Sequence, residues 1–363
     1  MSISMQEMDR RYSAIRDWMR RREVDCLIAS GRSDYFNRGN IRYLTGLGNG
    51  GYCIVPFEGT PVLLVGRKIE LYYRKEVPLD VIEAGNPVET VGREIARFDK
   101  GNKLAIIGFD QALDPLYKYI EEKYQGRLVD ATEIFEPLRL IKSDEEIEKI
   151  RISCWIADRV FHMLREMVRP DLSDFEIYGA VKHMIYNHGC EYSMDLLDAN
   201  GATMNMKFNP VGDRLSAGGT LFMEITPAYD GYYGQLPVTI PVVNPPAHIR
   251  KMAQAWVRAQ EAGAALLRPG TKISELYHIM RKSVLESGYL YPFRPGHALG
   301  LDAIDFWSIT ETNDTVLQPR MTLAVHPPIV KEMGGDGFGA GYTYLITETG
   351  AEKLSQVNLA ELY

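Results

Sequence analysis

Residues Leu138–Ile150 read LRLIKSDEEIEKI, and they divide the chain in two. Ser143 stands three residues before Glu146, the spacing at which an N-cap hydroxyl and a carboxylate satisfy each other's backbone amides. A long helix therefore starts here and runs to about Val168, where Arg169-Pro170 stops it. A second box, Ser173 with Glu176, opens the next helix. Upstream the texture differs. Cys26–Ala29, Tyr52–Pro56, Pro61–Val65, Leu104–Phe109 and Leu128–Val129 are short apolar runs bounded by Gly, Pro or Asp. They alternate with helical stretches at Val88–Arg97 and Pro115–Tyr124, behind an amphipathic helix in residues 6–22. Residues 1–138 thus read as an α/β domain. Downstream, strands at Leu221–Thr226, Tyr233 and Val238–Val243 precede helices at Ile249–Leu267 and Ile273–Glu286, the second closed by Gly288. Arg294–Leu301, Thr322–Ile329 and Tyr342–Thr347 return to strand and loop. A helix pair followed by strands occurs twice in residues 139–363, which predicts an α+β domain with a hint of internal duplication.

Three hundred and sixty-three residues accommodate two domains at roughly 150 residues each. With 45% hydrophobic and 25% charged residues, disorder is excluded. Lys+Arg 41 against Asp+Glu 48 gives −7, and no basic run appears, so nucleic acid is not an expected partner. The longest apolar stretches fall far short of the ~20 residues of a membrane span, and Met1–Arg10 is polar. A soluble, cytoplasmic protein without membrane contact is expected. Cys26, Cys53, Cys154 and Cys190 share no C-x-x-C spacing and read as buried thiols.

Several stretches, in order, resemble the creatinase/prolidase/methionine aminopeptidase superfamily. Asn40-Ile41-Arg42-Tyr43-Leu44-Thr45-Gly46 is similar to an N-terminal-domain motif of prolidase-like members, and Leu138–Arg151 to their interdomain signature. Leu267-Arg268-Pro269-Gly270 resembles a helix-ending Pro-Gly, and Pro295-Gly296-His297-Ala298-Leu299-Gly300-Leu301 the Gly-His motif. Leu345–Leu354 resembles the C-terminal strand and turn. The resemblance implies an N-terminal creatinase-like α/β domain, a C-terminal pita-bread α+β domain, and a homodimer with Asn40–Gly46 near the partner's site.

It also implies where metals would bind. The metallopeptidase members hold two divalent cations with two Asp, one His and two Glu. Carried over from the turn Tyr229-Asp230-Gly231-Tyr232, those positions fall on Glu224, Gln235, His297, His326 and Gly341. Only His297 keeps the family residue. A carboxylate, two imidazoles, an amide and a glycine make a poor cage for a cation pair, so no metal or other cofactor is expected. A single ion held by Glu224, His297 and His326 remains the alternative. Creatinase itself supplies a metal-free precedent, but Phe208, Pro237 and His326 stand where its catalytic histidine and its two guanidinium-gripping glutamates would be.

His297 and His326 are the expected proton-transfer pair, with Glu224 orienting or assisting one of them. Gln235, Tyr229, Tyr232, Tyr233, Trp307, Tyr342 and Lys207 are candidate substrate contacts, and Arg294 a candidate fork for a carboxylate. Tyrosines on strands also serve as packing, and a lone lysine as a solvated charge. The glycine-rich Gly334–Gly339 reads as a loop over the pocket. Without a metal to activate water, this set predicts a metal-independent lyase acting on a small, neutral or anionic, aromatic substrate. A creatinase-like C–N hydrolase and a peptide- or protein-binding pseudoenzyme are the alternatives.

Overall fold

The computed structural model describes residues 3–31, 39–48, 51–66, 79–109, 114–199 and 206–363. The chain divides into Met1–Arg139 and Leu140–Tyr363.

The first unit runs α1 (Met5–Arg22), β1 (Val24–Gly31), α2 (Gly39–Thr45), β2 (Gly51–Pro56), β3 (Val62–Val65), β4 (Asp80–Glu83), α3 (Pro87–Phe98), β5 (Lys103–Ile107), α4 (Asp114–Lys123), β6 (Leu128–Asp130) and α5 (Thr132–Leu140). Its strands form one sheet in the order β4-β3-β2-β1-β5-β6. β1 is antiparallel to β2 and parallel to β5. All eight residues of β1 are buried, as a central strand covered on both faces requires. Cys26 and Ile28 turn one face toward Val91 and Ile95 of α3 and Leu116 and Ile120 of α4. Met8, Tyr12, Ile15 and Met19, the apolar stripe of α1, are buried.

The second unit begins with α6 (Asp144–Met167) and α7 (Asp174–Asn187). Both capping boxes form. Ser143 N–H donates to Glu146 Oε2 at 2.7 Å and Ser173 N–H to Glu176 Oε2 at 2.9 Å, with each serine hydroxyl accepting in return. The chain continues through β7 (Tyr192–Ser193), β8 (Leu196–Asp198), β9 (Thr220–Ile225), β10 (Pro227–Tyr229), β11 (Tyr232–Tyr233) and β12 (Leu236–Pro241). A second helix pair, α8 (Ala247–Ala264) and α9 (Ile273–Glu286), precedes β13 (Gly296–Ala298), β14 (Thr322–Val325), β15 (Ile329–Val330), β16 (Gly337–Phe338), β17 (Tyr342–Ile346) and β18 (Ala351–Lys353). Two small sheets carry the site: β12-β9-β8, and β13-β14-β17-β18. Of the helices, α6 packs against β10, β11 and β12 and α8 against the β15-β16 hairpin, around one apolar core that includes Trp256, Leu221, Met223, Val238, Leu323 and Val325.

The expected loop over the pocket is corrected in its second half. Gly337–Phe338 is strand β16 paired with β15, and Thr239 Oγ1 donates to the Gly339 carbonyl at 2.7 Å. The four cysteines are free and buried, and burial pushes their thiols up to about 12, far from reactive thiolate. No helix of the described residues is long and apolar enough to cross a membrane.

Candidate active site

Glu224 sits on β9 directly opposite Pro237 of β12 and Leu196 of β8. Because side chains alternate along a strand, Phe222 shares its face, and both line a small cleft. Gln235 lies one residue before β12, and its Nε2 donates to Glu224 Oε2 at 3.5 Å. Its backbone is clamped to Thr343, whose Oγ1 accepts the Gln235 N–H and donates to the Gln235 carbonyl.

His297 arrives from the other sheet. Gly296 pairs with Val325, and a Cβ at 296 would collide with the Ala324 carbonyl oxygen. Only glycine lets β13 lie this close to β14, and that closeness sets His297 against His326, with ring centroids 5.4 Å apart. His297 Nδ1 bonds the Ala298 carbonyl at 3.0 Å. A carbonyl only accepts, so Nδ1 carries the proton and Nε2 is left as a lone-pair donor. His326, just past β14, has its backbone N–H on the Pro295 carbonyl, and its Nε2 is sealed from solvent with no hydrogen-bond partner among the described residues.

Burial decides the protonation of this group. Glu224 is 8% exposed, His297 and Gln235 each 2%. Desolvation pushes the Glu224 carboxyl up to about 7, against the opposing pull of the Arg294 charge. Desolvation pushes His297 down to about 4, and Arg294 adds to that while the Ala298 carbonyl opposes it. His326 lies well below the usual histidine range, through burial first and then the neighbouring His297 and Arg294. At neutral pH the two imidazoles are uncharged and the carboxyl is poised between its two forms. Arg294, between Phe293 of the cleft wall and Pro295, is exposed, ion-pairs with no described residue, and its charge reaches all three groups.

Of the expected contacts, Glu224 and His326 line the cleft, with Gln235 and His297 beside them. The aromatic set goes elsewhere. Tyr232 Oη donates to Glu146 Oε1 at 3.0 Å, joining β11 to the start of α6. Tyr342 Oη accepts the Leu359 N–H at 2.9 Å, and Tyr229 bonds Ser153 through its backbone. Tyr233 donates its N–H to the Gly300 carbonyl and Trp307 packs in the core. Lys207 is ion-paired with Asp213. The cleft walls are instead Met206, Phe222, Pro237, Phe293, Pro328 and Phe338 with Gly339. Phe222 was open to discovery from its spacing of two before Glu224; Phe338, inside a glycine run, offered no such signal.

An α/β unit followed by paired helices and antiparallel strands around a polar cleft is the pita-bread architecture with a creatinase-like N-terminal domain. Residues 148–348 match metallopeptidase family M24 and residues 11–141 the creatinase/prolidase N-terminal domain, and the chain belongs to that metallopeptidase family. It is 23% identical over 362 residues to the Xaa-Pro dipeptidase of Pyrococcus horikoshii, covering 97% of this chain and 98% of that one. It is 26% identical over 328 residues to the Xaa-Pro dipeptidase of Pyrococcus furiosus, covering 87% and 92%. The X-Pro aminopeptidase structure from Thermotoga maritima superposes with a TM-score of 0.85 at 17% identity, over 96% of this chain and 98% of that one.

These relatives correct the expected activity. Dipeptidases along nearly the whole chain point to peptide hydrolysis, not to a lyase acting on a small non-peptide molecule. The expectation went astray at two steps. Unusual groups at metal positions bear on how water is activated, not on which bond is cut. The aromatic-substrate reading also counted tyrosines whose hydroxyls are committed to Glu146 and Leu359.

Proposed function

We propose that this chain hydrolyses the amide bond of a short peptide in the cleft between Glu224 and His326. The observation that carries the reading is the pairing, across one small cleft, of a carboxyl poised near neutrality with an imidazole Nε2 that has no partner. Sequence likeness to Xaa-Pro dipeptidases supports the same substrate class.

The five positions at which the family would hold two metals carry one carboxylate, two imidazoles, an amide and a glycine, and this set does not fit a pair of divalent cations. The chemistry is therefore built from the chain's own groups. Ionised Glu224 accepts a proton from water as its oxygen adds to the peptide carbonyl carbon. The Arg294 charge favours the resulting oxyanion and a substrate carboxylate. His326 bonds the substrate through Nε2, and the amine departs with the proton that Glu224 took, returning the carboxylate. Apolar walls raise the worth of each of these interactions by excluding water. The working unit is read as a homodimer, as the resemblance to prolidase-like members implies.

The test is a panel of dipeptides, Xaa-Pro included, incubated with the protein and analysed for free amino acids. Release that disappears in Glu224→Gln supports the proposal; no release from any di- or tripeptide, or equal release from the variant, refutes it.

A further inference from the structure

We infer that this chain does not assemble the two-metal centre of its family, because position 341 is closed to any side chain and the other four positions cannot neutralise two cations. The closure is steric. A Cβ on Gly341 would collide with the Val325 carbonyl oxygen and stand 2.5 Å from His326 Cβ and 2.7 Å from His326 Cα, whereas real Cβ contacts essentially never fall below 3.0 Å. Two of those three obstacles are backbone, so no rotamer change relieves them. The backbone on either side is also fixed. Gly341 N–H donates to the Pro237 carbonyl at 3.0 Å, and Tyr342, the next residue, pairs with Val325. Admitting a carboxylate at 341 requires parting β17 from β14, a pairing that runs from Thr322–Leu345 to Val325–Tyr342.

Chemistry adds to sterics. A pair of divalent ions is held by several anionic oxygens, some of them bridging. Here Glu224 is the single carboxylate of the five positions, Gln235 offers a neutral amide, and an imidazole nitrogen has one lone pair and cannot bridge through it. His297 has already committed Nδ1 to the Ala298 carbonyl. Among the described residues, no three His, Cys, Asp or Glu side chains are grouped so as to hold even one ion.

The inference stands or falls separately from the proposed hydrolysis, since its readout is metal content. Full-length protein dialysed against chelator and titrated with Co²⁺ or Mn²⁺ should give no saturable uptake by calorimetry and no cobalt absorption bands. The triple variant Glu224→Asp, Gln235→Asp, His326→Glu restores carboxylates while leaving Gly341, and should still take up no metal pair. Gly341→Ala should melt well below the wild type or fail to fold. Two metals bound per wild-type chain, a metal pair in the triple variant, or an unchanged melting temperature in Gly341→Ala would overturn it.

Discussion

Replacing Glu224 by glutamine removes one titration from an otherwise unchanged cleft, and the structure sets its size. Burial raises the carboxyl from its ordinary 4.5 to about 7. A group whose folded pKa is raised favours the folded state fully below its unfolded pKa, and that favour is lost as pH rises through the folded value. At about 1.4 kcal/mol per factor of ten, wild-type stability should fall by about 3 kcal/mol between pH 4.5 and the alkaline side of 7 through this group alone. For a domain of about 220 residues at roughly 2 °C per kcal/mol, that is on the order of 6 °C in melting temperature. His297 acts in the opposite sense. Its folded pKa of about 4 lies below the ordinary 6.5, so its contribution is complete above 6.5 and is lost as pH falls toward 4. The two windows overlap and offset each other from pH 4.5 to 6.5, so Glu224→Gln, freed of the fall, should gain stability relative to the wild type as pH rises from 5 to 7 and keep that gain above 7. Calorimetric melting of both proteins from pH 5 to 9 measures this directly. Curves that stay parallel between pH 5 and 7 would mean that Glu224 ionises like an exposed carboxylate, and the case for it as a base poised at neutrality would fail.

His326→Ala should lower kcat/KM about 2–10-fold, the worth of one hydrogen bond at about 0.5–1.5 kcal/mol, in a protein that still melts cooperatively; an unchanged kcat/KM would remove His326 from the substrate's contacts. Arg294→Ala should raise KM for peptides with a free carboxylate about 10–100-fold, from the about 1.5–3 kcal/mol of a charge-assisted hydrogen bond, and leave KM for C-terminal amides unchanged; equal effects on both would refute the fork. Ser143→Ala, which breaks the cap of α6, should cost about 1 kcal/mol in denaturant unfolding without touching turnover. Light scattering should report twice the 41.1 kDa of one chain, and a monomer at micromolar concentration would contradict the homodimer.

Elements with a strong period or a cap were readable in advance. The α9 helix occupies Ile273–Glu286 as its apolar spacing indicates, and the boxes at Ser143 and Ser173 form as their spacing requires. Others left no such trace. Every residue of α2 is buried, so it has no polar face to produce an amphipathic rhythm. The α5 helix carries Pro137 inside it, and β4 is four half-exposed residues long. The polar heart of the cleft, Glu224, Gln235, His297 and His326, came from the family resemblance, carried over position by position. Its apolar walls did not, because Phe293 and Pro328 stand in loops and Phe338 in a two-residue strand, too short for any period to show. The tyrosines show the same limit: alternation along β17 puts Tyr342 and Tyr344 on one face, and does not say which face holds the cleft.

Hydrolysis by Glu224-activated water is the central claim, and isotope labelling tests it most directly. Wild-type protein and Glu224→Gln are incubated in H₂¹⁸O with a dipeptide, and the released amino acids are weighed by mass spectrometry. The account predicts one ¹⁸O in the carboxylate of the residue that supplied the peptide carbonyl, formed by the wild type and not by the variant. Intact dipeptide in both samples, or products formed without solvent oxygen, would contradict it.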